Sequence, residues 1–171
     1  MKIRLAADLQ TDSIVDGDGI RTVIWTQGCP HNCFGCHNPS THSFKDGALV
    51  DVNIIKEELD MLVYQDGITF SGGDPMCQAS GCLEIAKFCQ SIGLNVWCYT
   101  GYTYEELITR GKTNSIIMEF LKNIDVLIDG NSNDDIGELV IKDREMLSEN
   151  GIVIISCTLD KTTMKILGGP E

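Results

Sequence analysis

Three cysteines within eight residues constrain this chain more than any other feature of its sequence. Cys29, Cys33 and Cys36 have the spacing C-x3-C-x2-C, and Pro30 and Gly35 in the same stretch favour a loop that wraps around a ligand. A structural zinc site and a [4Fe–4S] cluster both normally take four protein ligands, and no second C-x2-C pair follows. The spacing therefore favours an iron–sulfur cluster with one iron left open for chemistry. A zinc site and a redox or structural loop remain alternatives.

The composition is typical of a cytoplasmic globular protein. The 171 residues carry a formal net charge of −12, which disfavours nucleic acid and anionic membranes because both require clustered cations. No apolar run reaches the roughly 18 residues that a membrane span needs, and no signal-peptide core follows the N-terminus. We therefore expect a cytoplasmic protein with no nucleic-acid partner and no membrane partner. The remaining cysteines, expected to be small buried apolar residues, are Cys77, Cys82, Cys89, Cys98 and Cys157.

Strand and helix patterns alternate along most of the chain. β-branched and aromatic runs predict strands, and apolar residues at helical spacing predict helices. The predicted strands are residues 20–26, 68–70, 94–99 and 124–128. The predicted helices are residues 52–64, 77–92 and 103–121, the last with an interruption near Gly111. Apolar strands that alternate with helices indicate an α/β protein with a parallel sheet covered by helices. A complete eight-fold barrel takes about 250 residues, so a partial, open βα barrel or a small open sheet fits this length.

Two loops are expected to lie at the same edge of this sheet. The cysteine loop follows the first predicted strand, and Gly72-Gly73-Asp74-Pro75 follows the second. In either architecture the reactive groups lie at the C-terminal ends of the parallel strands. We therefore expect the two loops to face one mouth.

Four motifs, in this order, resemble a known family. They span residues 16–22, 28–39, 69–75 and 97–102 and include the Cys-x3-Cys-x2-Cys and Gly-Gly-Asp-Pro loops. On these motifs, residues 1–129 resemble the activating proteins of anaerobic (class III) ribonucleoside-triphosphate reductases, a family of the radical S-adenosylmethionine superfamily. The resemblance implies an α/β fold that is a partial (open) βα barrel of the radical S-adenosylmethionine type, here truncated and followed by a short non-homologous C-terminal segment.

The resemblance also implies an activity. A [4Fe–4S] cluster and S-adenosylmethionine would be the cofactors, and reductive cleavage of S-adenosylmethionine would generate a glycyl radical on the large subunit of the reductase. Flavodoxin or ferredoxin would supply the electron. Two alternatives stay open: an activating enzyme of the pyruvate formate-lyase type, and a non-catalytic iron–sulfur binding fragment.

Site residues follow from the same resemblance. Cys29, Cys33 and Cys36 would each bind one iron of the cluster, and the open iron would bind S-adenosylmethionine. The residues that would contact this cofactor are Gly35, Cys36, His37, Gly72, Gly73 and Asp74. For His31 and His42, a role as polar loop residues is expected.

The C-terminal segment departs from the family. Residues 130–171 resemble a fragment of ribonuclease J, but all three histidines lie between residues 31 and 42, so no His-rich nuclease motif accompanies the resemblance. We interpret this segment as the product of a fusion or a mis-assembled reading frame, and not as an independent domain. Within it, residues 142–149 are expected to form a short helix and residues 152–158 a strand.

Overall fold

The computed structural model describes residues 1–33, 36–130, 145–147 and 152–156, which form a mixed α/β structure around one sheet. The strands are β1 (Lys2–Leu5), β2 (Gln10–Ser13), β3 (Arg21–Thr26), β4 (Ala48–Asp51), β5 (Gly67–Gly72), β6 (Asn95–Tyr99), β7 (Val126–Asp129), β8 (Glu145–Leu147) and β9 (Val153–Ser156). The helices are α1 (Val52–Asp60), α2 (Ala79–Ser91), α3 (Tyr104–Gly111) and α4 (Ser115–Leu121), and short 3-10 turns span Pro39–Thr41 and Pro75–Gln78. This arrangement confirms the predicted α/β class.

The centre of the sheet is parallel, and its margins are antiparallel. The strand order is β4-β1-β3-β5-β6-β7-β9-β8, with β2 paired to β3. Strands β3, β5, β6, β7 and β9 run parallel, as the alternating pattern predicts, whereas β1, β2, β4 and β8 pair antiparallel. The prediction of a parallel sheet is therefore confirmed for its central strands, and the antiparallel strands at the margins were not predicted from the sequence. Strands β1, β2 and β4 are only four residues long. Buried residues alternate with less buried ones in β1, and β2 and β4 are mostly exposed or half-buried, so none has the continuous apolar run that marks a buried parallel strand.

The two faces of the central strands have different surroundings. Alternate residues on β5 and β6, among them Phe70 and Cys98, are fully buried in one core with residues of all four helices. The intervening residues point away from that core, and Ser71 and Trp97 among them are only half-buried, as is Trp25 of β3, which pairs with Ser71. One face of the sheet is therefore packed on helices, and the other is open near the C-terminal ends of the strands.

The helices differ from the predicted ranges at their ends. The predicted interruption of helix 103–121 near Gly111 is confirmed. Helix α3 ends at Gly111, and the side chain of Asn114 caps α4 by accepting a hydrogen bond from the Ile116 amide. Helix α1 ends at Asp60, before the predicted residue 64. In the described residues, no helix has the length and apolar character needed to cross a membrane.

The C-terminal segment extends the sheet. Strand β9 pairs parallel with β7, with Leu127 opposite Ile154, and this confirms a strand within residues 152–158 as far as residue 156. The predicted helix over residues 142–149 is wrong where the structure describes it, because β8 is a strand antiparallel to β9. Pairing with β8 gives hydrogen-bond partners to the main-chain groups at the edge of β9, and this pairing overrides a weak local preference for helix.

Candidate cluster and cofactor site

The cysteine loop begins where β3 ends, and its start is held by the returning chain. Gly28 has a φ of 101°, and a Cβ at this position would lie 2.6 Å from the Phe44 ring, so glycine is required there. The Gly28 amide donates to the Thr41 carbonyl at 2.7 Å, and the Cys29 amide donates to the His42 carbonyl at 3.1 Å. The segment after the third cysteine therefore packs beside the first cysteine and closes the loop.

The three motif cysteines are partly exposed in this loop and form no disulfide bond. The Cys36 amide donates to the Cys33 carbonyl at 3.3 Å, which turns the chain between the second and third cysteines. Burial raises the pKa of the Cys29 thiol. A main-chain hydrogen bond from His31 opposes this rise in pKa, and the Asp74 carboxylate adds to it. Phe34 and Gly35 lie outside the described residues, so the predicted role of Gly35 stays a prediction.

The donor set fits an iron–sulfur cluster. Three cysteine side chains on one loop would supply thiolate sulfur, which is the characteristic ligand of iron in such clusters. Among the described residues, no three ligand side chains are already gathered into a metal-binding group. A cluster would therefore draw the loop together.

The second loop lies directly against the first. The Gly73 amide donates to the Thr26 carbonyl at 2.7 Å, and the Asp74 amide donates to the Gly28 carbonyl at 2.9 Å. A Cβ on Gly73 would come within 2.5 Å of the Gly28 carbonyl oxygen, so the main chains touch at this point. These contacts confirm that the cysteine loop and the Gly-Gly-Asp-Pro loop share one mouth.

Asp74 joins three segments of the mouth. Its carboxylate is 1% exposed and accepts hydrogen bonds from the Met76 amide at 2.9 Å, the Thr100 hydroxyl at 3.0 Å and the Gly101 amide at 3.1 Å. His31 Nε2 of the cysteine loop lies 2.7 Å from Asp74 Oδ2. The buried carboxylate thus binds protein groups, and its predicted contact with the methionine amino group stays a prediction.

Sequence reasoning missed the environment of His31. The His31 ring packs edge-on against the Tyr102 ring, with the ring centroids 4.4 Å apart. The Arg110 guanidinium stacks on the Tyr102 ring, 4.3 Å from its centroid. A Cβ on Gly101 would lie 2.5 Å from this imidazole. The histidine is therefore a packed connection between the cysteine loop and the loop after β6. Its position between Cys29 and Cys33 was the one sequence signal for this role.

The other two histidines have different surroundings. His37 is exposed, and its predicted contact with the cofactor stays a prediction. His42 is half-buried, and its Nε2 lies 3.2 Å from Cys36 Sγ, a contact that sequence reasoning also missed.

Four cysteines lie outside the motif in the described residues. Cys82, Cys89 and Cys98 are buried, as predicted, and burial raises the pKa of Cys89 to about 12. Cys77 is exposed, so its predicted burial is wrong. It follows Pro75 in a 3-10 turn at the mouth, where the main chain leaves the sheet before α2 covers it. Cys157 lies outside the described residues.

The opposite end of the open face is closed by Arg21. This fully buried guanidinium donates to the Thr69 hydroxyl at 2.7 Å and to the Asp18 carbonyl at 3.0 Å. It also lies over the Trp97 ring, 5.0 Å from the centroid, and burial lowers its pKa. Arg21 therefore holds the turn before β3 against the sheet, far from the cysteine loop along the strand.

Comparison with known proteins defines first the class of the chain and then its family. The model of the 4Fe-4S single cluster domain matches residues 15–152. The anaerobic ribonucleoside-triphosphate reductase-activating protein of Enterobacteria phage T4 is 34% identical over 123 residues, which are 68% of this chain and 73% of that protein. The protein of the same name from Escherichia coli (strain K12) is 34% identical over 126 residues, which are 68% of this chain and 77% of that protein. The chain belongs to this family of activating proteins.

A pyruvate formate-lyase-activating enzyme is also similar. The enzyme from Clostridium pasteurianum is 34% identical over 126 residues, which are 68% of this chain but only 52% of that enzyme. Together these relatives confirm the predicted class of radical S-adenosylmethionine activating enzymes and its two cofactors, a [4Fe–4S] cluster and S-adenosylmethionine.

The C-terminal segment matches a second model. The ribonuclease J C-terminal domain matches residues 139–171, and this match overlaps the iron–sulfur match between residues 139 and 152. The predicted boundary at residue 129 stays a prediction.

Proposed function

We propose that this chain activates an anaerobic ribonucleoside-triphosphate reductase by generating a glycyl radical on its large subunit. The observation that carries the proposal is the direct contact between the two loops, in which the Asp74 amide donates to the Gly28 carbonyl at 2.9 Å. The loop that holds the cluster and the loop that holds S-adenosylmethionine must be adjacent, because the cluster has to transfer an electron to S-adenosylmethionine. The names of the relatives from phage T4 and Escherichia coli supply the substrate class.

The cysteine loop would supply the cluster ligands. Cys29, Cys33 and Cys36 would each bind one iron, which leaves one iron for S-adenosylmethionine. When bound, the cluster supplies the single electron that splits S-adenosylmethionine into methionine and a 5′-deoxyadenosyl radical, which takes a hydrogen atom from the target glycine. The protein itself holds the two loops in contact.

The Gly-Gly-Asp-Pro loop would supply the cofactor contact. Gly72 has a φ of 94°, and a Cβ there would lie 2.7 Å from the Thr26 carbonyl oxygen. Glycine at this position and at Gly73 lets the main chain come close both to the cysteine loop and to a ligand. Asp74 would act here as a positioning residue, because its carboxylate fixes the loop to Thr100 and Gly101.

The open face of the sheet would form the wall of the reaction chamber. We interpret the sheet as a partial (open) βα barrel, and the pairing of β9 with β7, which adds a fifth parallel strand, supports this interpretation. Trp25, Ser71 and Tyr99 line the open face near the mouth and are half-buried. The strand from the C-terminal segment would thus extend this wall beside β7.

A second candidate target is pyruvate formate-lyase. The observation in its favour is the relative from Clostridium pasteurianum, which is as similar in identity, at 34%, as the two reductase activators. The cluster and cofactor loops serve both reactions, so the choice of partner depends on other surfaces. A low-potential flavodoxin or ferredoxin would be the electron donor in either case.

A glycyl-radical assay with purified partners tests the proposal. The reconstituted protein is reduced under anaerobic conditions with S-adenosylmethionine and mixed separately with each of the two large enzymes. We expect the electron paramagnetic resonance doublet of a glycyl radical on the reductase, and none with Cys36→Ala. A doublet on pyruvate formate-lyase alone would assign the second candidate. With 5′-deoxyadenosine produced but no radical on either enzyme, the proposed partner class would be wrong.

A further inference from the structure

His42 lies beside the third cysteine in a position that the main chain fixes. It directly follows the 3-10 turn Pro39–Thr41, and its amide donates to the Pro39 carbonyl at 3.3 Å. Its carbonyl accepts the Cys29 amide at 3.1 Å. The imidazole therefore projects from a segment that is anchored on both sides, and its Nε2 lies 3.2 Å from Cys36 Sγ.

A second donor approaches the same sulfur. The Asn38 amide lies 3.4 Å from Cys36 Sγ, so one sulfur faces two N–H groups from the segment after it. Distances of this length are ordinary for hydrogen bonds to sulfur, whose radius exceeds that of oxygen. The half-buried setting of His42 limits competition from water.

The chemistry of the sulfur fixes the direction of the bond. A cysteine bound to iron is a thiolate and can only accept a hydrogen bond. When Cys36 binds the cluster, Nε2 of His42 must therefore carry the hydrogen and donate it. This step rests on the proposed function, because it requires Cys36 to be a cluster ligand.

We infer that His42 is a positioning residue that acts through Cys36 and raises the reduction potential of the cluster. Reduction adds one electron from an external one-electron donor, with no bond made or broken in the protein, and increases the negative charge on the cluster and its sulfur ligands. A hydrogen bond to a ligand sulfur is stronger in the more negative state, and such bonds are among the factors that set cluster potentials. His42 thus makes the electron transfer that starts the reaction less unfavourable.

Two substitutions separate the hydrogen bond from the shape of the ring. His42→Phe keeps a planar ring but has no donor, whereas His42→Gln keeps an N–H donor at a similar reach. The measurement is a redox titration of the reconstituted proteins by electron paramagnetic resonance without S-adenosylmethionine. Iron and sulfide content are determined for each protein, so that only proteins with a full cluster are compared.

The expected result is a selective shift in His42→Phe. At a fixed solution potential near the wild-type midpoint, we expect the ratio of reduced to oxidised cluster to fall about tenfold in His42→Phe, which is about 59 mV for a one-electron couple. His42→Gln should stay near the wild-type ratio. An unchanged ratio in His42→Phe, or an equal fall in both variants, would overturn the inference.

A spectroscopic measurement tests the contact in a way that does not depend on the folding of His42→Phe. Wild-type protein labelled with 15N-histidine should show a 15N hyperfine coupling to the reduced cluster, and this coupling should be lost in labelled His42→Gln. Absence of the coupling in the wild type, or its persistence in His42→Gln, would overturn the inference.

Two further outcomes separate this inference from the proposed function. If wild-type protein cleaves S-adenosylmethionine but His42→Phe has the wild-type potential, the proposed function stands and the inference fails. If S-adenosylmethionine changes the electron paramagnetic resonance spectrum of the cluster in His42→Phe but not in the wild type, His42 occupies the open iron. Both proposals then fail.

Discussion

His31 Nε2 lies 2.7 Å from Oδ2 of the buried Asp74, and this contact joins the cysteine loop to the loop after β5. Neither residue alone explains the geometry of the mouth. Asp74 also accepts hydrogen bonds from Thr100 and Gly101, so the ends of three strands meet at one carboxylate. The arrangement that positions a cluster beside a cofactor is therefore a hydrogen-bonded network, and each of its parts can be tested.

Asp74→Asn is expected to destabilise the fold. The Met76 amide donates to Oδ1 and the Gly101 amide to Oδ2, so the new side-chain amide places a donor against one of these two main-chain donors. A buried donor left unpaired costs about 1–3 kcal/mol. Chemical denaturation of the protein without cluster measures the free energy of unfolding. Asp8→Asn, at an exposed position, is the control and should change it by less than about 0.5 kcal/mol.

The coupling between His31 and Asp74 is expected to be measurable. A double-mutant cycle with His31→Phe and Asp74→Asn should give an interaction energy between about 0.5 and 3 kcal/mol, because the two side chains share a half-buried hydrogen bond. Additive effects of the two substitutions would mean that the contact contributes nothing in solution.

Gly73→Ala is expected to weaken binding of S-adenosylmethionine more than it weakens the fold. The new Cβ would lie 2.5 Å from the Gly28 carbonyl oxygen, a main-chain atom that cannot turn aside, so the two loops must separate. Calorimetric titration of the reconstituted protein measures the affinity. Gly93→Ala is the control: its φ of 84° makes alanine strained by about 1 kcal/mol, but no atom lies within 4 Å of the new Cβ. Equal loss of affinity in both variants would count against a special role for Gly73.

Each cluster ligand is expected to be indispensable. Cys29→Ala, Cys33→Ala and Cys36→Ala should each lose most of the iron after anaerobic reconstitution, because two thiolates cannot hold the cluster in an open loop. Cys89→Ala, buried in α2 away from the mouth, should retain the wild-type iron content. Retention of a full cluster in all three loop variants would refute the ligand assignment.

Stability should fall as the pH rises above about 9. Burial raises the pKa of Cys89 from its ordinary value of 9.0 to about 12 and also raises the pKa values of Cys82 and Cys98, so the unfolded chain releases these protons before the folded one does. Below pH 9 both states hold the protons and this effect is absent. Above it, each such thiol lowers the free energy of unfolding by about 1.4 kcal/mol per pH unit. Denaturation between pH 8 and 11 under reducing conditions measures the slope, and Cys89→Ala should make it shallower.

Strand β9 is expected to contribute to the fold. Proline at residue 154 removes a main-chain donor between β7 and β8, and the loss of a strand hydrogen bond together with the fixed φ should destabilise the sheet. Thermal unfolding of Ile154→Pro measures this. An unchanged midpoint would mean that the C-terminal segment is only an appendage.

The sequence was sufficient to predict the parallel centre of the sheet and the meeting of the two loops. Apolar runs marked β3, β5, β6 and β7, and chain order then placed both loops at their C-terminal ends. The same reasoning failed for β8, because three residues without an apolar run become a strand only through pairing with β9.

The hydrogen-bonded partners of the histidines could not be predicted from sequence. His31 and His42 lie in a loop without periodicity, and their partners are set by close main-chain contacts between distant segments. For example, His31 contacts Gly101, which lies in a loop 70 residues further along the chain. Motif spacing identifies the ligands of a site, but it does not show which neighbours orient them.

The measurement that tests the central claim most directly is 5′-deoxyadenosine production by the reduced, reconstituted protein with S-adenosylmethionine, alongside the electron paramagnetic resonance spectrum of its cluster. The account predicts a [4Fe–4S] signal that changes when S-adenosylmethionine is added, with 5′-deoxyadenosine and methionine as products, and no product from Cys36→Ala. A cluster signal indifferent to S-adenosylmethionine, with no nucleoside formed, would contradict it and identify the chain as an iron–sulfur binding fragment without catalysis.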